Sequence, residues 1–206
     1  MNTINAAVHA AFPVVPVPAC GPLPPAQACG TRYLVGRDGL SRELSLPWIR
    51  VCELVAPSAL ALPYGRLEDA VEFRCGPLPD RVLREFTYHA RRALPNEVAG
   101  ALLWNGRADS WRYLERPTRA SSEAHVRYEE VRPQQDEHLV VDLHSHGCHS
   151  AFFSSEDDRD DAGAMKVCLV IGNLDQLRPS SHMRLCMAGV VRPAYLRADG
   201  RLAVLS

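Results

Sequence analysis

Residues 140–157 read Val140-Val141-Asp142-Leu143-His144-Ser145-His146-Gly147-Cys148-His149-Ser150-Ala151-Phe152-Phe153-Ser154-Ser155-Glu156-Asp157. The apolar run from Leu139 to Leu143 predicts a buried strand. On a strand, side chains two apart share a face, so His144 and His146 project together and Ser145 points away. Two imidazoles at a strand end can share one metal ion. A catalytic zinc takes three protein ligands from His, Asp, Glu or Cys and leaves a fourth position open. Asp157, eleven residues after His146 and past a loop containing Gly147, offers the third. Ser154-x-x-Asp157 is also a helix N-cap signature close to a capping box. The two readings are compatible, because a capped helix start is a rigid mount for a carboxylate ligand.

Neighbouring residues are read more plainly. Asp142 shares the strand face of the two histidines and is a candidate for orienting one of them. Asp158, Asp160 and Asp161 read as a solvated helix face. Cys148 and His149 read as loop residues near the site mouth; a fourth ligand or a redox-sensitive thiol is the alternative for Cys148.

Outward from this stretch, apolar segments alternate with polar ones. Pro79 to Leu94 predicts a helix: Asp80 can cap it, Val82, Leu83, Phe86, Ala90 and Ala93 recur at helical spacing, and Pro95 stops it. Val98 to Trp104 predicts a buried strand, Asn105-Gly106 a turn, and Trp111 to Leu114 its partner strand. Residues 115–137 are polar. Downstream, a short helix runs to Met165, Val167–Gly172 and Met183–Val191 read as strands, and Ala194–Leu205 reads as a closing hairpin around Asp199-Gly200. Strands interspersed with helices imply an α/β (α+β) layered domain.

The pattern His144-Ser145-His146-(seven residues)-Ser154-x-x-Asp157 resembles the metalloprotease motif of the JAB1/MPN/Mov34 (JAMM) family. That family also has an upstream glutamate after a helix, followed by two residues, a glycine and an apolar strand. Pro95-Asn96-Glu97-Val98-Ala99-Gly100 fits that setting, and the resemblance covers about residues 80–195. Gly147 departs from it, standing where many members have proline, which implies a less constrained loop. The resemblance implies a JAB/MPN-like mixed β-sheet flanked by helices and one Zn2+ per chain on His144, His146 and Asp157. It further implies Glu97 as general base and proton donor, Ser154 as a hydrogen-bond donor to the oxyanion, and hydrolysis of an amide or isopeptide bond. Spacing alone does not find Glu97, 47 residues before His144. The implied substrate is a ubiquitin-like or sulfur-carrier-like protein, which in the family an insertion at the place of 115–137 helps to bind, although this one is short, and the implied partner is an E1/ThiF-like protein. The compact motif ending and the extra N-terminal region also resemble, more narrowly, the A proteins of the PRTRC cassette. Two other readings stay open: a non-catalytic MPN-type scaffold, which the complete residue set argues against, and a zinc hydrolase of a small amide.

The remainder divides by composition. Residues 1–29 carry Pro13, Pro16, Pro18, Pro22, Pro24 and Pro25 and read as an extended N-terminal segment. Residues 30–78 read as a small β region, with a hairpin at Arg37-Asp38-Gly39 and a third strand over Trp48–Leu54. Residues 79–206 then form the JAB/MPN-like domain. A net charge of −1 gives no electrostatic argument for nucleic acid or an anionic membrane. No apolar run approaches the length of a membrane span, and the N-terminus lacks the basic start of a signal peptide. Seven cysteines, an odd number with no CxxC pair, fit free thiols in a reducing cytoplasm. Cys168 and Cys186 lie in apolar runs and read as core.

Overall fold

A computed structural model describes residues 3–116, 118–122, 125–128 and 131–205, with backbone alone for 118–122 and 125–128. The chain divides into two compact units, Met1–Cys75 and Gly76–Ser206.

The first unit opens with α1 (Thr3–Ala11), followed by β1 (Val14–Pro16), β2 (Gly30–Gly36), β3 (Gly39–Leu46), β4 (Ile49–Pro57) and β5 (Ala70–Phe73). The strands form one sheet in the order β1-β2-β3-β4-β5, with β1 parallel to β2 and the rest antiparallel. The N-terminal region is β-rich, and its sheet begins at Val14, ahead of the expected Gly30. Its first 29 residues are not simply extended: α1 lies wholly before Pro13, so the helix-breaking effect of proline acts only downstream of it. Val17, Leu34 and Cys52 form an apolar cluster with Val15, Leu23 and Leu67 packed on it. Glu43 is buried nearby and paired by both Arg32 and Arg50, which is how a carboxylate survives burial.

The second unit contains α2 (Asp80–Ala93), β6 (Ala99–Asn105), β7 (Ser110–Arg116), β8 (Thr118–Ser122), β9 (His125–Tyr128), β10 (Glu137–Ser145), α3 (Ser155–Asp161), β11 (Met165–Gly172), β12 (Ser180–Met187), β13 (Val190–Leu196) and β14 (Leu202–Val204). A seven-stranded mixed sheet has the order β14-β13-β12-β11-β10-β6-β7, and β8 pairs with β9 as a separate two-stranded sheet. Side chains of residues 117–130, Pro117, Ser121 and Ser122 among them, lie outside the described residues. Val82, Phe86 and Ala90 recur four apart on α2 and are its buried residues. Asp80 is the first helical residue rather than the cap; Pro79 occupies the cap position without a side-chain bond, and Asp80 instead favours the positive end of the helix dipole.

The expected strand Met183–Val191 is two strands. Ala188 (φ 48°) and Gly189 (φ 102°) make a two-residue turn between β12 and β13. Both central positions at positive φ are what a tight hairpin with native twist demands, and an apolar flank conceals that signal in the sequence. Centrally, β10 runs antiparallel to β6 and parallel to β11. Parallel neighbours need a crossover, and the crossover here carries the loop after His146 and α3. Ligand sites in open α/β sheets lie beyond the carboxyl ends of such strands. Among the described residues no helix is long and apolar enough to cross a membrane.

Candidate metal centre

Near the carboxyl end of β10 the alternation delivers His144 and, one residue past the strand, His146. Their ring centroids are 5.1 Å apart. Asp157 arrives from the first turn of α3, and its Oδ1 lies 3.4 Å from His144 Nε2. One potential ligand atom from each of the three residues falls within 4.8 Å of the others. The structure thus brings together the three residues read as metal ligands.

Asp157 serves two purposes with two oxygens. Its Oδ2 accepts from the Ser154 backbone N–H at 2.7 Å and from the Ser154 hydroxyl at 2.6 Å, while its own N–H donates to Ser154 Oγ at 3.2 Å. That is a complete capping box. Its Oδ1 is the oxygen turned toward the histidines. The cap and the candidate ligand are one side chain.

The donor set suits a metal ion. Nε2 of His144 is buried and has no hydrogen-bond partner among the described residues, an uncommon state for a buried polar atom. Burial lowers the pKa of both imidazoles, favouring the neutral, ligating form. His146 Nδ1 lies 3.3 Å from the Ser150 carbonyl; a proton on Nδ1 donates there and leaves Nε2 as a free lone pair. Phe152 meets His146 edge-on at 4.5 Å and Phe153 meets His144 at 6.4 Å, walling the imidazoles with aromatic rings.

Glu97 sits between α2 and β6 and is 8% exposed. Burial, reinforced by the charge on Asp157, pushes its carboxyl up to about 7. Ser145 couples the segment that carries this glutamate to the histidine strand. Its N–H donates to the Val98 carbonyl at 2.9 Å, and its Oγ accepts from the Val98 N–H at 3.0 Å. The serine that faces away from the metal side therefore pins the residue next to Glu97. Strand alternation told its direction but carried no signal of this partner.

The loop after His146 is well fastened despite lacking proline. Gly147 has φ +53°, which proline cannot adopt, and a Cβ there would lie 2.7 Å from the Pro95 carbonyl oxygen. Its carbonyl accepts from Leu174 N–H at 2.9 Å, and the His149 carbonyl accepts from Asn173 N–H at 2.7 Å. Glycine permits a close approach that draws the segment before Glu97 against the segment after His146. Cys148 and His149 are exposed.

Two readings of acidic residues are corrected. Asp142 does not bond a histidine; it pairs with Arg116 at 2.7 Å and Lys166 at 2.6 Å. Asp161 is not on a solvated face: it is buried and pairs with Lys166 at 2.8 Å and Arg184 at 2.7 Å, while the more exposed Asp158 also meets Arg184. The basic partners lie on β7, β11 and β12, so only strand register reveals them. Cys168 and Cys186 are buried as expected, their sulfurs 3.8 Å apart, and all seven cysteines are free thiols.

Comparison with known proteins adds the following. A domain of unknown function, DUF2016, matches residues 2–74. The prokaryotic homologs of the JAB domain match residues 79–186. No curated protein matches the chain. Among solved structures, the chain is similar to the solution structure of protein DSY2949 from Desulfitobacterium hafniense, with 21% identity and a TM-score of 0.41 over 61% of this chain and 86% of that one. Because the JAB match spans more than half of the sequence and contains the helix, the sheet centre and the His-His-Asp group, the chain belongs to the prokaryotic homologs of the JAB domain.

Proposed function

We propose that this protein is a zinc-dependent hydrolase of an amide or isopeptide bond, of the JAMM metallopeptidase type. The observation that carries the reading is the convergence of His144, His146 and Asp157, with the buried Glu97 carboxyl close enough to feel the charge of Asp157. Two nitrogens and one oxygen form a donor set that zinc accepts in catalytic sites, with a position left for substrate chemistry. Zinc held there supplies Lewis acidity, making water a usable nucleophile at neutral pH.

The chain's own groups supply the rest. Glu97 takes the proton from the attacking water and passes it to the leaving amine; a pKa near the working pH suits both transfers. Ser154 donates its hydroxyl hydrogen to the developing oxyanion. That hydrogen rests on Asp157 Oδ2 in the free protein, so the hydroxyl turns during the reaction while the Ser154 N–H keeps the cap.

The family's setting supports a ubiquitin-like or sulfur-carrier-like protein as substrate and an E1/ThiF-like protein as partner. The separate N-terminal region favours the narrower resemblance to the A proteins of the PRTRC cassette, and the free thiols favour a reducing cytoplasm.

The test begins with zinc content of the purified protein and of the His144→Ala, His146→Ala double variant. About one zinc per chain, lost in the variant, is expected. Conjugates of ubiquitin-like proteins are then offered to the loaded protein. Glu97→Gln should retain zinc yet lose activity by roughly 10²-fold to 10⁴-fold. Absence of zinc after reloading would sink the metal reading, and zinc without hydrolysis would turn it toward an interaction module.

A further inference from the structure

A seven-residue helix is marginal on its own and ordinarily docks through an apolar stripe. The helix α3, Ser155-Glu156-Asp157-Asp158-Arg159-Asp160-Asp161, contains no apolar residue, and its single buried side chain is Asp161. Asp161 lies four residues after Asp157, one turn along the same face. Both its oxygens are engaged: Oδ1 by Lys166 Nζ at 2.8 Å and Oδ2 by Arg184 Nη2 at 2.7 Å.

Those cations extend the connection to the other ligand-bearing element. Lys166 also holds Asp142 at 2.6 Å, and Asp142 lies two residues before His144 on β10 and is itself held by Arg116. Arg184 also holds Asp158, and its guanidinium lies 3.9 Å over the centroid of the Phe153 ring, which packs against His144. Three acids and three bases thus alternate from β7 through β10 and β11 to α3 and β12.

We propose that this ion-pair chain docks α3 on the sheet in place of apolar packing, and that Asp161 is a positioning residue that sets Asp157 at bonding range of the His144–His146 pair. This rests on the metal reading of that triad. The chain fixes the helix at its carboxyl end while the capping box fixes it at its amino end, and Asp157 lies between the two.

Asp161→Asn tests it with few side effects, because Lys166 keeps Asp142 and Arg184 keeps Asp158. Chelator competition should show zinc dissociation at least ten-fold easier than in the native protein. Hydrogen exchange in the metal-free protein should show the amides of Asp158 and Ala162, which close turns of α3, exchanging at least ten-fold faster, beyond any change in β10 and β11. Arg184→Lys keeps the charge but removes the fork, and should move both measurements in the same direction; it carries the test if Asp161→Asn does not fold. Native zinc affinity and native α3 exchange in these variants would overturn the inference. A native protein that binds no zinc would instead overturn the metal reading, with the exchange comparison still deciding whether the ion pairs dock the helix.

Discussion

Asp157 turns one oxygen to the helix cap and the other to His144, and the two can be separated by substitution. Asp157→Asn can keep an oxygen toward Ser154 and so preserve the cap, but it turns an NH2 group toward His144. It should abolish zinc binding while changing stability by less than about 1 kcal/mol. Ser154→Ala should do the reverse, costing about 1 kcal/mol in a urea titration through the lost cap while zinc remains bound. If both variants lose zinc equally, the division of labour between the oxygens is wrong.

Glu97 adds a pH signature at the same scale. Its folded pKa of about 7 lies above the 4.5 of an unperturbed glutamate, so the folded state holds the proton more tightly. The glutamate's contribution to the stability of the metal-free protein should therefore fall as pH rises from about 4.5 to about 7, then level off. His144 and His146, lowered by burial, act in the opposite sense, costing stability as pH falls below their ordinary 6.5. Unfolding midpoints of native protein and Glu97→Gln at pH 5 and pH 8 isolate the glutamate: the difference between the proteins should favour the variant more at pH 8.

Among the elements, β6 shows why a glycine follows Glu97 by three. A Cβ on Gly100 would come within 2.5 Å of the Tyr113 ring and 3.3 Å of Phe86, the residue by which α2 packs on the sheet. Tyr113 is not free to swing, since its hydroxyl bonds His89 Nδ1 at 2.8 Å. Gly100→Ala should cost about 1–3 kcal/mol, read as a lowered denaturant midpoint, without removing a metal ligand.

What the sequence could disclose follows from range. Strand alternation placed His144 and His146 on one face, and the cap signature placed Asp157 at a helix start, because both depend on residues a few positions apart. Glu97 needed the resemblance to a known motif. Asp161 has acidic and polar neighbours in sequence, which suggest a solvated face, whereas its partners Lys166 and Arg184 reach it only through the pairing of β11 with β12. The turn at Ala188-Gly189 was lost inside an apolar run, and α1 was lost among prolines that begin only after it ends.

For the whole molecule, the His144–His146–Asp157 group belongs to the Gly76–Ser206 unit, and the Met1–Cys75 unit has a sheet and a core of its own. Ligand binding stabilises the state that binds, by about 4 kcal/mol when free ligand is 1,000 times its dissociation constant. Calorimetry with and without a chelator should therefore shift the transition of the Gly76–Ser206 unit alone. A shift of both units together would show that they unfold as one.

The composition of α3 sets how the site responds to temperature. Exposing hydrocarbon raises heat capacity by about 0.45 cal/K/mol per Å2, whereas exposing polar surface lowers it by about 0.26. Unfolding the sheet core belongs to the first class. Release of α3, which uncovers carboxylates and cations and no apolar side chain of its own, belongs to the second. The docking of Asp157 through α3 therefore responds to temperature differently from the packing of the apolar core.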